Sequence, residues 1–183
     1  MCRVLVPLAN GFEEVEAMAI IDVLRRADID VVIAGLHEGY IEGSRRVKVV
    51  PDSTLDEIDS HNFDMIVLPG GQPGSDNLKA DERIKELIWD FYSKGKLMGA
   101  ICAAPYVLAE AGILEGKRVT SYPSYKDRLG FVLYEEEKVV EDKNLLTSRG
   151  PGTALYFALA IVEKLAGREK AEAIQAAMLI PKS

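Results

Sequence analysis

Cys102 is the residue in this chain whose setting most resembles a working thiol. It lies in Gly99-Ala100-Ile101-Cys102-Ala103-Ala104-Pro105, between an apolar run and a helix pattern that opens on proline. Small residues on both sides permit a tight strand-to-helix elbow, and proline suits a first helical turn because its missing N–H costs nothing there. A thiol at a helix start meets unpaired N–H donors and the positive end of the dipole. That predicts a pKa well below about 8.5 and a nucleophilic or oxidation-sensitive thiolate. The other cysteine, Cys2, opens the first strand run. A strand of this length sets the two thiols roughly 16 Å apart, at opposite sheet edges. A disulfide needs Cα atoms within about 7 Å, so an internal bridge is excluded and Cys2 is read as inert.

Glu13, Glu14 and Glu16 open the first helix pattern. Acidic residues in a first turn complement the helix dipole, which accounts for two of the three as solvated side chains. Glu13 and Glu16, three apart, share a face. One of them pointing into a crevice would have its pKa raised by burial, and the protonated carboxyl could donate to a thiolate. Spacing alone leaves the choice between Glu13 and Glu16 open. Gly70-Gly71, after the apolar run ending at Leu68, permits a tight turn with exposed backbone N–H groups. Those donors, with the Ala103 N–H, would form an oxyanion hole, although a plain strand-end turn explains the dipeptide equally well.

The surrounding pattern alternates strand-length apolar runs with helical periodicity. Strands are expected at 3–8, 30–34, 47–50, 64–68, 97–101, 119–120, 131–134, 138–140 and 145–147. Helices are expected at 13–26, 83–92, 105–111, 153–165 and 169–178. Continuous apolar strands interleaved with helices imply βαβ units, a mostly parallel sheet and helices on both faces. The stretch 131–140, with Glu135-Glu136-Glu137 at its centre, reads as a small added hairpin. Ligands of such sheets bind beyond the carboxyl ends of the strands, where Ala9-Asn10-Gly11, Pro69-Gly70-Gly71, Cys102 and Ser148-Arg149-Gly150 all fall.

Composition bounds the rest. The 183 residues suit one domain over 1–183, with 48% apolar and 28% charged residues. A net charge of −7 without a basic stripe argues against nucleic acid as the main partner. No apolar run approaches the roughly 20 residues of a membrane helix, and the strand-like start has no signal-peptide core, so a cytoplasmic location is expected. His37 and His61 lie in polar stretches, no Cys/His spacing suggests a metal site, and no nucleotide fingerprint occurs, so no metal or cofactor is expected.

Four segments together resemble the ThiJ/PfpI superfamily, in the branch of the Parkinsonism-associated deglycase and bacterial ThiJ-like proteins. They are Ala9 to Glu16, Val67 to Gly71, Ala100 to Pro105 and Leu146 to Thr153, in order across nearly the whole chain. The resemblance implies a flavodoxin-like, class I glutamine amidotransferase-like sandwich. It implies Cys102 as nucleophile, Glu16 as the protonated partner and acid/base, and the Gly71 and Ala103 backbone as oxyanion hole. Gly70, Arg26, Arg45 and Tyr122 are implied as substrate-binding residues, and a homodimer as the assembly. Implied activities are glyoxalase-type conversion of reactive carbonyls or removal of early glycation adducts from proteins, in carbonyl and oxidative stress defence. The alternative is a redox sensor or chaperone governed by Cys102 oxidation, with little turnover.

Two departures from the superfamily pattern matter. Ala103 stands where the protease-like branch has a histidine, which disfavours peptidase activity, and Tyr122 stands where eukaryotic members carry a crevice histidine. A thiazole-biosynthesis role has no chemical support in these residues. Separately, the first helix carries Val15, Met18, Ala19, Ile20, Ile21, Val23 and Leu24, too wide an apolar set for one packing face. A partner subunit is expected to cover the remainder.

Overall fold

The computed structural model describes residues 2–182. Its centre is a seven-stranded sheet in the order β10-β11-β7-β6-β1-β2-β5. The strands are β1 (Arg3–Leu8), β2 (Asp30–Gly35), β5 (Ser53–Thr54), β6 (Met65–Leu68), β7 (Leu97–Ile101), β10 (Val139–Asp142) and β11 (Leu145–Ser148). All pair in parallel except β10, which runs antiparallel to β11 at the edge. Two small sheets flank it: β3 (Ile41–Glu42) with β4 (Lys48–Val49), and β8 (Arg118–Val119) with β9 (Leu133–Tyr134).

Alternation along the strands builds two cores. Val4, Val6 and Leu8 of β1 face α1 (Glu14–Arg26), α5 (Ala154–Ala166) and α6 (Arg168–Ala177). Leu5, Ile66, Leu68, Met98 and Ala100 face the other layer, of α2 (Gly74–Ala80), α3 (Glu82–Ser93) and α4 (Pro105–Glu110). Burial on both faces is why these strands read as continuous apolar runs. The architecture is the doubly covered, mostly parallel α/β sandwich that the alternation implied.

The added hairpin lies elsewhere than expected. β9 does not turn back on β10; it pairs in parallel with β8, and Arg118 Nε binds Glu135 Oε1 at 2.5 Å, so the acidic triplet is not a hairpin turn. The hairpin is β10–β11, joined through Lys143-Asn144 with Lys143 at φ 57°. A left-handed residue in a two-residue turn matches the strand twist there. α2, β3 and β5 lie outside the expected elements.

Candidate active site

β11, β7, β6 and β1 are adjacent and parallel, so the segments after all four gather at one edge. Cys102 follows β7 in the left-handed region, at φ 63°, which is rare for a side-chain-bearing residue and marks a strained elbow. Its peptide groups are pinned: its N–H donates to the Ser148 carbonyl at 3.0 Å, and its carbonyl accepts from Tyr122 N–H at 2.9 Å. The Ser148 end is itself held, since Ser148 Oγ donates to the Lys138 carbonyl at 2.6 Å and lies 2.7 Å from Thr153 Oγ1. Ala104 caps α4 and Pro105 opens it.

The Gly71 and Ala103 N–H groups both point at the Cys102 sulfur. Gly71 sits at φ 98°, packed against the Gly11–Glu13 backbone. At Gly70 a Cβ would lie 2.8 Å from Cys102 Cβ and 2.7 Å from Glu16 Oε2, so only glycine lets the two groups meet. Gly70 does not face a ligand with its N–H, which donates to Glu16 Oε2 at 2.8 Å.

Glu16, not Glu13, is the buried carboxyl. It is wholly inaccessible on the first turn of α1, with its Oε1 lacking a donor of regular geometry and the Cys102 thiol as its neighbour. Burial raises its pKa to about 7, against the opposing hydrogen bonds from Cys102 and Gly70 and helped by the charge of Glu13. Burial also pushes the Cys102 thiol up, and the nearby Glu16 charge adds to this more than the Ala103 and Gly71 N–H groups subtract. The expectation of a thiol well below 8.5 is therefore corrected. α4 has only six residues and a small dipole, while the site holds one negative charge comfortably and not two. Glu16 therefore gives up its proton before Cys102 does.

Glu14 is also buried, contrary to its reading as a solvated dipole complement. Its Oε1 accepts from Arg45 N–H at 2.6 Å and its Oε2 from Ser44 Oγ at 3.2 Å. Although burial opposes it, these bonds and those from the Glu14 and Val47 N–H groups hold its carboxyl below the usual range. Arg45 thus stands by the start of α1, its guanidinium on the Ser44 carbonyl at 3.4 Å. Within a single chain Arg26 does not reach the crevice, so a role there requires that it come across a dimer interface. Ten residues beyond Glu16 on the same helix, it lies about 15 Å further along the axis, paired with Asp22 at 2.8 Å. Tyr122 lies at the rim, its ring against Gly150.

Cys2 is at the other edge, its Sγ 3.7 Å from the Leu165 carbonyl, and both cysteines are free. His37 bonds Asn10 and the Glu38 carbonyl, and His61 pairs with Asp59, so neither is engaged with Cys102. Sequence reasoning missed Gln72 and Tyr125, whose side chains bond each other beside the site. Only tertiary folding joins them, and neither sits in a motif.

A doubly covered α/β sandwich with a cysteine in a strained strand-to-helix elbow, backed by a buried carboxyl, defines a class of thiol-centred α/β proteins. Within that class the chain belongs to the DJ-1/PfpI family, whose profile matches residues 2–164. It is 46% identical over 179 residues to Protein dj-1beta of Drosophila melanogaster, covering 96% of each chain. It is 39% identical over 164 residues to the Caenorhabditis elegans protein named Glutathione-independent glyoxalase DJR-1.2, covering 88% of this chain and 87% of that one. The solved structure described as Toxoplasma gondii DJ-1, oxidized, superposes with a TM-score of 0.96 at 35% identity over 100% of both chains.

Proposed function

We propose that the protein is a cysteine-dependent enzyme acting on reactive carbonyls. The observation that carries this is the convergence of Glu16, Gly71 N–H and Ala103 N–H on the Cys102 sulfur. The glyoxalase name of the Caenorhabditis elegans relative supports the carbonyl class. Near neutral pH Glu16 takes the Cys102 proton as sulfur attacks an aldehyde carbon. The C–S bond forms, the carbonyl π pair moves onto oxygen, and the Gly71 and Ala103 N–H groups hold that oxygen. For an α-oxoaldehyde, Glu16 first returns that proton to the oxyanion, giving a hemithioacetal; it then takes the proton of the attacked carbon and delivers it to the neighbouring carbon, while the hydroxyl proton passes to the former ketone oxygen, leaving a 2-hydroxyacyl thioester. Water cleaves the thioester, releasing the hydroxy acid and the thiol. A pKa near 7 suits both directions of transfer.

The test is methylglyoxal turnover by wild type and Cys102→Ser, followed as lactate formed. Turnover should fall to background in the variant; equal rates end the enzyme reading. The second reading is a redox-sensing or chaperone role. The N–H groups and carboxyl around Sγ would also receive the oxygens of a sulfinate, and the oxidised Toxoplasma gondii relative is in keeping with that. It becomes the better reading if the wild type itself turns nothing over. In either reading a homodimer is the proposed assembly.

A further inference from the structure

A 3-10 turn, Pro123–Arg128, starts at the nucleophile itself. Tyr122 N–H, just before it, donates to the Cys102 carbonyl at 2.9 Å. Three residues on, the Tyr125 hydroxyl is hydrogen-bonded to the Gln72 side-chain nitrogen. Gln72 follows Gly71, whose N–H points at the Cys102 sulfur. The contacts close a ring that contains the nucleophile: Cys102 carbonyl to Tyr122, along the chain to Tyr125, across to Gln72, and back through Gly71 to Sγ.

The bridge is braced from behind. The Tyr125 and Tyr106 ring centroids are 6.0 Å apart. The Arg128 guanidinium lies 5.4 Å from the Tyr106 centroid and 5.3 Å from that of Tyr125. Lys79 Nζ of α2 lies 5.0 Å over Tyr106. Cations seated on two neighbouring rings hold the turn against α2 and α4. At the start of the same turn the Tyr122 ring lies against Gly150.

We infer that the Gln72–Tyr125 bridge is a width-limiting wall of the site mouth, which restricts Cys102 to short, unbranched carbonyl compounds and excludes carbonyl adducts carried on protein side chains. The inference deepens the carbonyl reading and rests on it for the substrate class. A side wall of this kind discriminates by bulk, because a wide group beside the reacting aldehyde meets the bridge before the carbon reaches sulfur.

The experiment compares two thiol reagents of different width, iodoacetamide and a polyethylene-glycol maleimide, at Cys102 by peptide mass mapping. The rate ratio of the wide to the narrow reagent is expressed relative to that for free cysteine. It should be low in the wild type, and Gln72→Ala and Tyr125→Ala should raise it about tenfold. Tyr125→Phe, which keeps the ring and loses the hydroxyl, should raise it by less than Tyr125→Ala. Because Gln72 is exposed, Gln72→Ala tests the wall even if removing the tyrosine ring disturbs folding. An unchanged ratio in Gln72→Ala, or a wild-type ratio equal to that of free cysteine, overturns the wall. In turnover, the same variants should gain phenylglyoxal activity relative to methylglyoxal. A wild type that turns over neither aldehyde overturns the carbonyl reading, while the alkylation ratio, which needs no turnover, still decides the wall.

Discussion

At the scale of single residues the proposed chemistry rests on proton transfer between Cys102 and Glu16. Glu16→Gln keeps the size and an N–H donor but can neither take nor return a proton. If Glu16 is the base and shuttle, the variant should lose carbonyl turnover while Cys102 still reacts with an alkylating agent. Glu16→Asp keeps the acid but withdraws it by one methylene, and a misplacement of that size costs about 10²-fold, so weak turnover should remain. If Gln retains turnover, Glu16 only tunes the thiol. Stability carries a second, independent signature. The native carboxyl holds its proton to about pH 7 while the unfolded one ionises near 4.5. The raised pKa therefore contributes stability that is fully present below about pH 4.5 and lost as pH rises through about 7. The loss is on the order of 3 kcal/mol. Urea denaturation of wild type and Glu16→Gln at several pH values reports it, because titrating groups not coupled to Glu16 cancel in the difference. The wild type should weaken relative to the variant between pH 4.5 and 7 and the gap should then flatten. A gap independent of pH would mean that Glu16 is not held protonated. Spacing placed this carboxyl only to within Glu13 or Glu16, because it fixes a helical face and not which member of the face is covered. The family resemblance pointed to Glu16, and Glu16 is the one buried under Gly70.

At the scale of elements, the strands that carry the site were legible because each is buried on both faces and so is apolar along its length. The elbow was legible because small residues and a proline bracket Cys102. What stayed hidden depends on pairing between distant short segments. β8 and β9 have two residues each, and their parallel register rests on Glu135 N–H donating to the Val119 carbonyl at 2.9 Å and on the Arg118–Glu135 ion pair. No local pattern encodes that. Glu14 is similar: its partners lie in the loop 43–47, some thirty residues away. The turn after β6 is the element most exposed to a single change. Gly70→Ala would set a methyl between Cys102 Cβ and Glu16 Oε2. Overpacking of that kind costs about 1–3 kcal/mol, visible as a lower urea midpoint, and separating the pair should cut turnover far more than stability. Gly71→Ala adds a left-handed φ of 98° and backbone crowding, and should be the worse of the two by the same midpoint measurement. If both variants match the wild type in midpoint and turnover, the glycine turn is not what holds the thiol against Glu16.

At the scale of the whole molecule, the question is what covers the outer face of α1. The sheet and α5 take most of its apolar residues, burying Ala17, Ile20, Ile21, Val23 and Leu24. Val15 remains 56% exposed, with Met18 and Ala19 half-buried one turn on. The strip does not end with the helix. Val47, whose N–H reaches Glu14 Oε1 at 3.4 Å, is 50% exposed, and Val50 beyond it is 77% exposed. Exposed valines beside a helix face, next to Arg45, Arg46 and Lys48, form an apolar surface. Such patches mark association sites, and a second copy of the chain offers the same patch in return. The expected result is a sedimentation mass twice the 20.1 kDa chain at micromolar concentration. Val47→Glu should shift the population toward the single-chain mass, since an unpaired charge would be buried in a self-matching contact. The loop carrying Val47 is tied through Glu14 to the helix that carries Glu16, so the contact and the site share one support. The monomerised variant should therefore also show a changed Cys102 alkylation rate. A single-chain mass for the wild type would leave the valine strip without a partner and remove dimerisation from the account of the site.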